Sequence, residues 1–168
     1  MVERNKSFID YPELDKIVFD HLIKLSESIK SNNRFTEDGK VIACLVRNGK
    51  ILESASSASG GIIVHAEQNL LGYLQQKKIT INKSDILYST LEPCSRRFDI
   101  DGGAPDCTTL IIRAGIKNVV YAANDPVQSI LTHTIFRTAG VNLRQTEKLE
   151  IQQKSRDLFN RLSRDYKI

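Results

Sequence analysis

The sequence lacks the features that are typical of secreted and membrane proteins. It has no tryptophan, one methionine and three cysteines, and an odd number of cysteines in 168 residues makes a poor disulfide framework. No apolar run approaches the roughly 20 residues that a membrane-spanning helix needs. The N-terminal segment MVERNKSFID has no apolar signal core. We therefore expect a cytoplasmic protein, no membrane association, and a catalytic or metal-binding use for some of the thiols.

The charge of the chain gives little support to a nucleic-acid partner. The formal net charge is +4 and the isoelectric point is near 9.0, a weak basic excess. Basic residues cluster only in KSRDLFNRLSRDYK, where Asp157 and Asp165 interrupt them as on a solvated helix face. With 40% hydrophobic and 26% charged residues and no low-complexity tract, the composition predicts one globular domain over residues 1–168.

Hydrophobic periodicity predicts an α/β fold. Apolar residues recur three or four positions apart between Leu14 and Leu25, which predicts a first helix. Two strands around Asn48-Gly49 then form a hairpin, and a small-residue loop, SSASGG, follows. The remaining predicted elements are the helix IIVHAEQNLLGYLQQK, the strand SDILYSTL, the helix CTTLIIRAG, the strand IKNVVYAA, the helix VQSILTHTIFRTAG, the edge strand VNLRQT and the helix EKLEIQQKSRDLFNRLSRDY. This alternation favours parallel strands with helices on both faces.

One histidine and two cysteines lie where a parallel sheet would gather them. His65 starts a predicted helix, and Cys94 and Cys107 flank the next loop. Strand ends and helix starts meet along one rim of such a sheet, where ligand sites lie. Zinc accepts imidazole and thiolate in tetrahedral geometry, and three protein ligands leave one position for water. The set therefore predicts a catalytic zinc site, with a structural zinc or a chance cluster of buried residues as the alternatives.

Glu67 is the candidate proton carrier. Positions two apart in a helix lie on nearly opposite faces, so His65 and Glu67 can share a metal only if it lies off the helix end. Two thiolates cancel the formal charge of Zn²⁺, so its water should be less acidic than in an all-histidine site and a base is needed. Glu67 can serve as that base and then as an acid. This chemistry suits hydrolytic deamination of a cyclic amidine.

These residues resemble a known pattern. HAE at 65–67, followed by Pro93-Cys94 and by Cys107, resembles the H-x-E and P-C-x-x-C signature of the cytidine deaminase superfamily. The segments TLEPC, IIRAGIKNVVYAANDP and AGVNLRQTEKLEIQQKSRDLFNRLSR more narrowly resemble the deaminase domain of the riboflavin pathway, which acts on diaminohydroxyphosphoribosylaminopyrimidine. The likeness covers most of residues 34–164.

The resemblance implies both a fold and a set of roles. The fold is a three-layer α/β/α sandwich around a mixed five-stranded sheet of the cytidine deaminase-like type. His65, Cys94 and Cys107 would bind Zn²⁺, and Glu67 would carry the protons. Relatives pair through the helices around the active site, so we expect a homo-oligomer.

The substrate-binding segments depart from the riboflavin deaminases. Their T-x-P-N-P segment is replaced by TEDGK at 36–40, with Gly39 where the family has its substrate-contacting Asn. SRRFDIDGGAPD replaces their usual S-H-x-G-R-T-P-P between the cysteines. The resemblance therefore predicts the zinc chemistry and leaves open which heterocycle is the substrate.

Four further residues are candidate substrate contacts. Arg96 and Arg97 lie in the loop after Cys94, where a guanidinium group could hold a phosphate, although exposure to solvent fits them equally well. Ala66 belongs to the H-x-E motif, and Asn69 lies in the second turn of the same helix. We expect a small-molecule partner, with or without a phosphate.

Two other functions remain open. A nucleic-acid base deaminase normally has a basic groove and stacking aromatic residues, and only Phe98 lies near the predicted site. A non-catalytic relative would keep zinc for stability and act by binding a ligand or partner. Cys44, His21 and His133 are interpreted as packing or helix-surface residues, and Glu92 as an acceptor that orders its loop.

Overall fold

The computed structural model describes residues 11–29, 41–59, 63–96, 105–125 and 128–165. Its elements, in chain order, are α1 (Tyr11–Ser28), β1 (Ile42–Arg47), β2 (Lys50–Ser56), β3 (Ala58–Ser59), β4 (Ile63–Val64), α2 (Ala66–Gln76), β5 (Ile86–Leu91), α3 (Cys107–Arg113), β6 (Asn118–Ala123), α4 (Ser129–Thr138), β7 (Asn142–Gln145) and α5 (Leu149–Asp165). In the described part of the chain, no helix is both long enough and apolar enough to cross a membrane.

The main sheet is mixed, as predicted. Its five strands run in the order β2-β1-β5-β6-β7. Strand β1 is antiparallel to both β2 and β5, whereas β6 is parallel to β5 and β7 is parallel to β6. The carboxyl ends of β5 and β6 therefore share one edge of the sheet, and the helices α3 and α4 follow those ends.

The predicted hairpin forms around a tight turn. Asn48 and Gly49 have φ values of 50° and 74°, the left-handed conformation that both central residues of a type I′ hairpin turn require. Strand β1 is buried over Ile42–Val46 because it lies inside the sheet, which explains its unbroken apolar sequence.

The segment before α2 differs from the prediction. Ala58–Ser59 pairs with Ile63–Val64 in a separate two-stranded ladder. The expected small-residue loop thus contains the strand β3, and α2 begins at Ala66, later than the apolar run suggested. Short apolar runs fit a strand and a buried helix equally well, so periodicity alone could not decide between them.

Apolar clusters cover both faces of the main sheet. One cluster joins the strands to α1 and α5, and it includes Phe19, Tyr88 and Leu158. The other joins them to α2, α3 and α4, and it includes Leu70 and Leu87. Successive β5 residues Leu87 and Tyr88 therefore point to opposite layers, as strand geometry requires. The predicted three-layer α/β/α sandwich is confirmed.

Candidate metal and proton-transfer site

The three predicted ligands converge at the start of two helices. His65 directly precedes α2 as its N-cap residue, Cys94 follows β5, and Cys107 is the first residue of α3. One ligand atom from each lies within 4.8 Å of the others. The His65 Nδ1 atom is 3.5 Å from Cys94 Sγ and 3.3 Å from Cys107 Sγ. The imidazole therefore presents Nδ1 to both sulfur atoms, off the end of α2.

Backbone contacts bring the two cysteines together across their loop. The Cys107 amide donates to Cys94 Sγ at 3.3 Å. Thr108 donates to the Cys94 carbonyl oxygen through both its amide, at 3.0 Å, and its hydroxyl, at 2.7 Å. Asp106 caps α3 by accepting a hydrogen bond from the Thr109 amide at 2.8 Å. The first turn of α3 thus fixes the position of Cys94 relative to Cys107.

The two thiols differ in acidity. A hydrogen bond from Cys107 lowers the pKa of Cys94 to about 6, with the His65 ring adding to the effect. The same hydrogen bond, together with complete burial, raises the pKa of Cys107 well above the ordinary value of a thiol. Cys94 is therefore the more acidic of the two thiols. One imidazole and two sulfur atoms make a donor set that suits zinc.

Glu67 lies beside this cluster and outside it. Its side chain is in the first turn of α2 and is only 3% exposed. Glu67 Oε2 is 3.4 Å from Cys107 Sγ, while Oε1 accepts a hydrogen bond from Ser89 Oγ at 3.0 Å. Ser89 is fully buried on β5. One carboxylate oxygen is therefore held by the sheet, and the other faces the ligand cluster.

Gln128 holds the segment that follows Cys94. Its Oε1 atom accepts hydrogen bonds from the backbone amides of Ser95 and Arg96, each at 2.7 Å. The residue lies just before α4, so the end of the β6–α4 connection fixes the backbone that leaves the site.

Glu92 anchors the chain just before the Pro-Cys pair. Its Oε2 accepts a hydrogen bond from the Asp125 amide at 3.0 Å, and its Oε1 accepts one from Ser129 Oγ at 3.1 Å. His133 Nε2 lies 3.2 Å from the same Oε1, and burial raises the pKa of Glu92. Glu92 therefore has the structural role that the sequence predicted. The backbone amide that donates to it belongs to the β6–α4 connection rather than to its own loop.

The four candidate substrate contacts have different surroundings. Ala66 is fully buried at the start of α2. The Asn69 side-chain amide donates to the Ser56 carbonyl oxygen at 2.8 Å, so it connects α2 to β2. Arg96 is exposed, whereas Arg97 lies outside the described residues. TEDGK at 36–40 also lies outside them.

Sequence reasoning missed Ser89 and Gln128. Ser89 is a polar residue on the α2 side of β5, and this position in an otherwise buried strand was a usable signal. Gln128 gave no comparable signal, because its partners are backbone amides of another segment. The interpretation of Cys44 as a packed residue is confirmed, since it is fully buried in β1.

Comparisons with known proteins agree with the fold of this chain. A family model described as the cytidine and deoxycytidylate deaminase zinc-binding region matches residues 19–123. Riboflavin biosynthesis protein RibD of Aquifex aeolicus is 37% identical over 116 residues, which are 68% of this chain and 29% of that protein. Diaminohydroxyphosphoribosylamino-pyrimidine deaminase of Buchnera aphidicola is 34% identical over 113 residues, 67% of this chain and 69% of that protein.

A solved structure supports the fold. The diaminohydroxyphosphoribosylaminopyrimidine deaminase/5-amino-6-(5-phosphoribosylamino)uracil reductase of Thermotoga maritima superposes with a TM-score of 0.68 at 24% identity, covering 92% of this chain and 42% of that one. The chain thus spans less than a third of the Aquifex relative and less than half of the Thermotoga protein. The family match and the Buchnera relative confirm the predicted resemblance, and the chain belongs to the cytidine and deoxycytidylate deaminase family.

Proposed function

We propose that this protein is a zinc-dependent hydrolytic deaminase of a small amino-heterocycle. His65, Cys94 and Cys107 hold the zinc, and Glu67 carries the protons. The observation that supports this most is the convergence of three ligand atoms within 4.8 Å, with the buried Glu67 carboxylate 3.4 Å from one of them. A histidine and two cysteines with a non-ligating glutamate are the parts that this chemistry requires.

When bound, zinc supplies Lewis-acid activation of the attacking water. Glu67 does the proton transfer, and Oε2 is the atom that exchanges protons, because Oε1 is occupied by the Ser89 hydroxyl. Oε2 takes one proton from the water and passes it to the ring nitrogen of the amidine as the new C–O bond forms. It then takes the second proton and gives it to the amino group as the C–N bond breaks, so ammonia leaves and a carbonyl remains.

Burial makes this carboxylate suitable for proton transfer. Glu67 is 3% exposed, so bulk water has little access to it and protons pass between Oε2 and the reacting groups. The Ser89 hydrogen bond keeps the side chain in one orientation. A carboxylate that is already in place adds no reorganisation to the reaction, which is the main advantage of a preorganised site.

The substrate we propose is an amino-pyrimidine, such as the diaminopyrimidine of the riboflavin pathway. The support comes from the names of the relatives from Aquifex and Buchnera. Arg96 is exposed directly after the Cys94-Ser95 segment, and its backbone is fixed by Gln128, so its guanidinium group is available to a substrate phosphate.

Self-association is a further proposal. Ile130 at the start of α4 is 88% exposed and Leu131 beside it is 41% exposed, more than a buried apolar stripe would leave. A second copy covering this surface would remove that apolar area from water. Sedimentation equilibrium should give a mass of at least twice 18.9 kDa for the full chain. A single species at the monomer mass would contradict the proposal.

The activity is tested by ammonia release from a substrate panel. Zinc-replete protein is incubated with the phosphoribosylated diaminopyrimidine, pyrimidine nucleotides, cytosine, guanine and a pterin. We expect ammonia from the phosphorylated pyrimidines, and none after a chelator has removed the zinc. A Glu67→Ala variant as active as the wild type would refute the assigned mechanism. Binding to single-stranded nucleic acid that weakens steeply with salt would favour a base deaminase instead.

A further inference from the structure

Ser89 is the only described side chain that donates a conventional N–H or O–H hydrogen bond to Glu67. It is fully buried, and its backbone pairs with Ala43 of β1 on one side and with Tyr121 of β6 on the other. The hydroxyl is thus attached to the middle of the sheet, where the backbone cannot shift without breaking two ladders. Its 3.0 Å hydrogen bond to Oε1 fixes one end of the carboxylate.

The carboxylate would otherwise compete with water for the metal. Glutamate oxygens are ordinary zinc ligands, and a fourth protein ligand is what distinguishes closed structural sites from open catalytic ones. Glu67 Oε2 is already 3.4 Å from Cys107 Sγ. Because the side chain is buried, the carboxylate cannot be hydrated by bulk water instead. Yet the group of clustered ligand atoms contains His65, Cys94 and Cys107 without Glu67. Something holds the carboxylate back from that group.

We propose that Ser89 is a positioning residue that keeps the Glu67 carboxylate off the metal, so that the fourth position stays open to water. This inference rests on the proposed function for the presence of zinc and for the role of Glu67. The hydroxyl binds Oε1 and thereby leaves Oε2, 3.4 Å from Cys107 Sγ, as the oxygen that faces the cluster. Loss of the hydroxyl frees the carboxylate to rotate and to complete a four-residue coordination shell.

The test measures whether an outside ligand can enter the fourth position. Full-length protein is loaded with Co²⁺, whose visible absorption reports its coordination, and is titrated with azide. The variants are Ser89→Ala, Glu67→Gln and the double variant, with Ser89→Thr as the conservative replacement that keeps the hydroxyl. Ser155→Ala is the matched control, because Ser155 is a 2% exposed serine whose Oγ has no hydrogen-bond partner in the described part of the chain.

We expect Ser89→Ala to weaken azide binding by about ten-fold or more and to lower kcat by roughly ten- to a hundred-fold, with KM little changed. Azide binding should return in the double variant, because the competing carboxylate is gone. Ser89→Thr should retain azide binding, and Ser155→Ala should behave as the wild type.

Two results would overturn the inference. One is azide binding in Ser89→Ala equal to that of the wild type. The other is a loss of azide binding that persists in the double variant, which would assign Ser89 a merely structural role. If the wild type releases no ammonia from any substrate, the proposed function fails, but the azide titration still decides the role of Ser89.

Discussion

Two buried carboxylates lie on opposite faces of β5, and each accepts a hydrogen bond from one of two adjacent β5 residues. Tyr88 donates to Asp15 Oδ1 at 2.9 Å on the side of α1, and Ser89 donates to Glu67 Oε1 at 3.0 Å on the side of α2. Asp15 is 1% exposed and Glu67 is 3% exposed. The two sites therefore have the same burial, the same supporting strand and the same kind of donor.

They differ in what balances the charge. Asp15 receives a bidentate pair from Arg144, with nitrogen–oxygen distances of 2.7 and 2.8 Å. Glu67 has no Lys or Arg partner among the residues that the structure describes, and its second oxygen faces Cys107 instead. A buried carboxylate is normally paired with a cation. We infer that Asp15 joins α1 to β7 for stability, whereas Glu67 is left without a cation for its proposed role in proton transfer.

The largest effect expected from this comparison is on catalysis. Glu67→Gln keeps the size of the side chain and an oxygen that can accept from Ser89, but it cannot exchange the proton. We expect kcat to fall by roughly 10²–10⁴-fold, while the melting temperature and the bound zinc stay unchanged. Ammonia release and metal analysis on the same preparation check this. Equal activity in the variant would remove the distinction between the two carboxylates.

A substitution on the Asp15 side of β5 should affect stability alone. Arg144→Ala leaves the buried Asp15 without its cation, and because the Arg144 side chain is 37% exposed, water replaces part of the interaction. We expect the free energy of unfolding to fall by about 2–3 kcal/mol, less than for a fully buried pair, with kcat within two-fold of wild type.

Lys16→Ala is the matched control for Arg144→Ala. Lys16 pairs with Asp20 at 2.7 Å in α1, but both side chains are well exposed. Removal of this pair should leave the free energy of unfolding nearly unchanged, because solvent screens exposed charges. Urea denaturation measures the free energy of unfolding of both variants. Equal losses would show that the buried Asp15–Arg144 pair stabilises the protein no more than an exposed pair does.

A smaller effect is expected at the hydroxyl on the Asp15 side. Tyr88→Phe removes the donor to Asp15 and leaves Arg144 in place, so we expect a loss of about 1–2 kcal/mol in the free energy of unfolding. Zinc affinity and kcat should not change, because Tyr88 points away from the site. A loss of zinc binding in this variant would contradict the separation of the two faces.

The smallest expected effect is on the number of protons that the protein releases when it binds zinc. Ligands must lose their protons before they bind a metal. Because the pKa of Cys94 is lowered to about 6 and that of Cys107 is raised, the two thiols together should release about one proton per zinc at pH 8. The thiol contribution should approach two as the pH falls below 6, and any proton displaced from the His65 imidazole adds to the total. Calorimetry in buffers of different ionisation enthalpy measures it, and a constant value of two would mean that both thiols are protonated throughout.

Much of the fold and the core of the site could be predicted because the signals are local. Period-3.6 apolar stripes, the Asn48-Gly49 turn and the alternation of helix and strand each depend on neighbouring residues. The H-x-E and Pro-Cys motifs identify the candidate ligands and the proton carrier. These residues come together because strand ends and helix starts share one edge of the sheet. The two-stranded ladder of Ala58–Ser59 and Ile63–Val64 was missed because two residues are too few to show a period.

The contacts that organise the site could not be predicted in this way. Asp15 and Arg144 are 129 positions apart, and Ser89 and Glu67 are 22 positions apart, so no local pattern relates them. Each pair exists only because the packing of helices on the main sheet places the two side chains together. Asn69 illustrates the same limit, since its amide is used by the Ser56 carbonyl oxygen rather than being visibly free for a substrate.

We propose that His65, Cys94 and Cys107 together hold one zinc ion and leave its fourth position to water. X-ray absorption at the zinc edge of the purified full-length protein tests this directly. We predict two sulfur ligands at about 2.3 Å, one imidazole nitrogen at about 2.0–2.1 Å and one further light atom that is not removed by Glu67→Gln. A shell in which Glu67→Gln removes the fourth ligand, or a protein that binds no zinc, would contradict it.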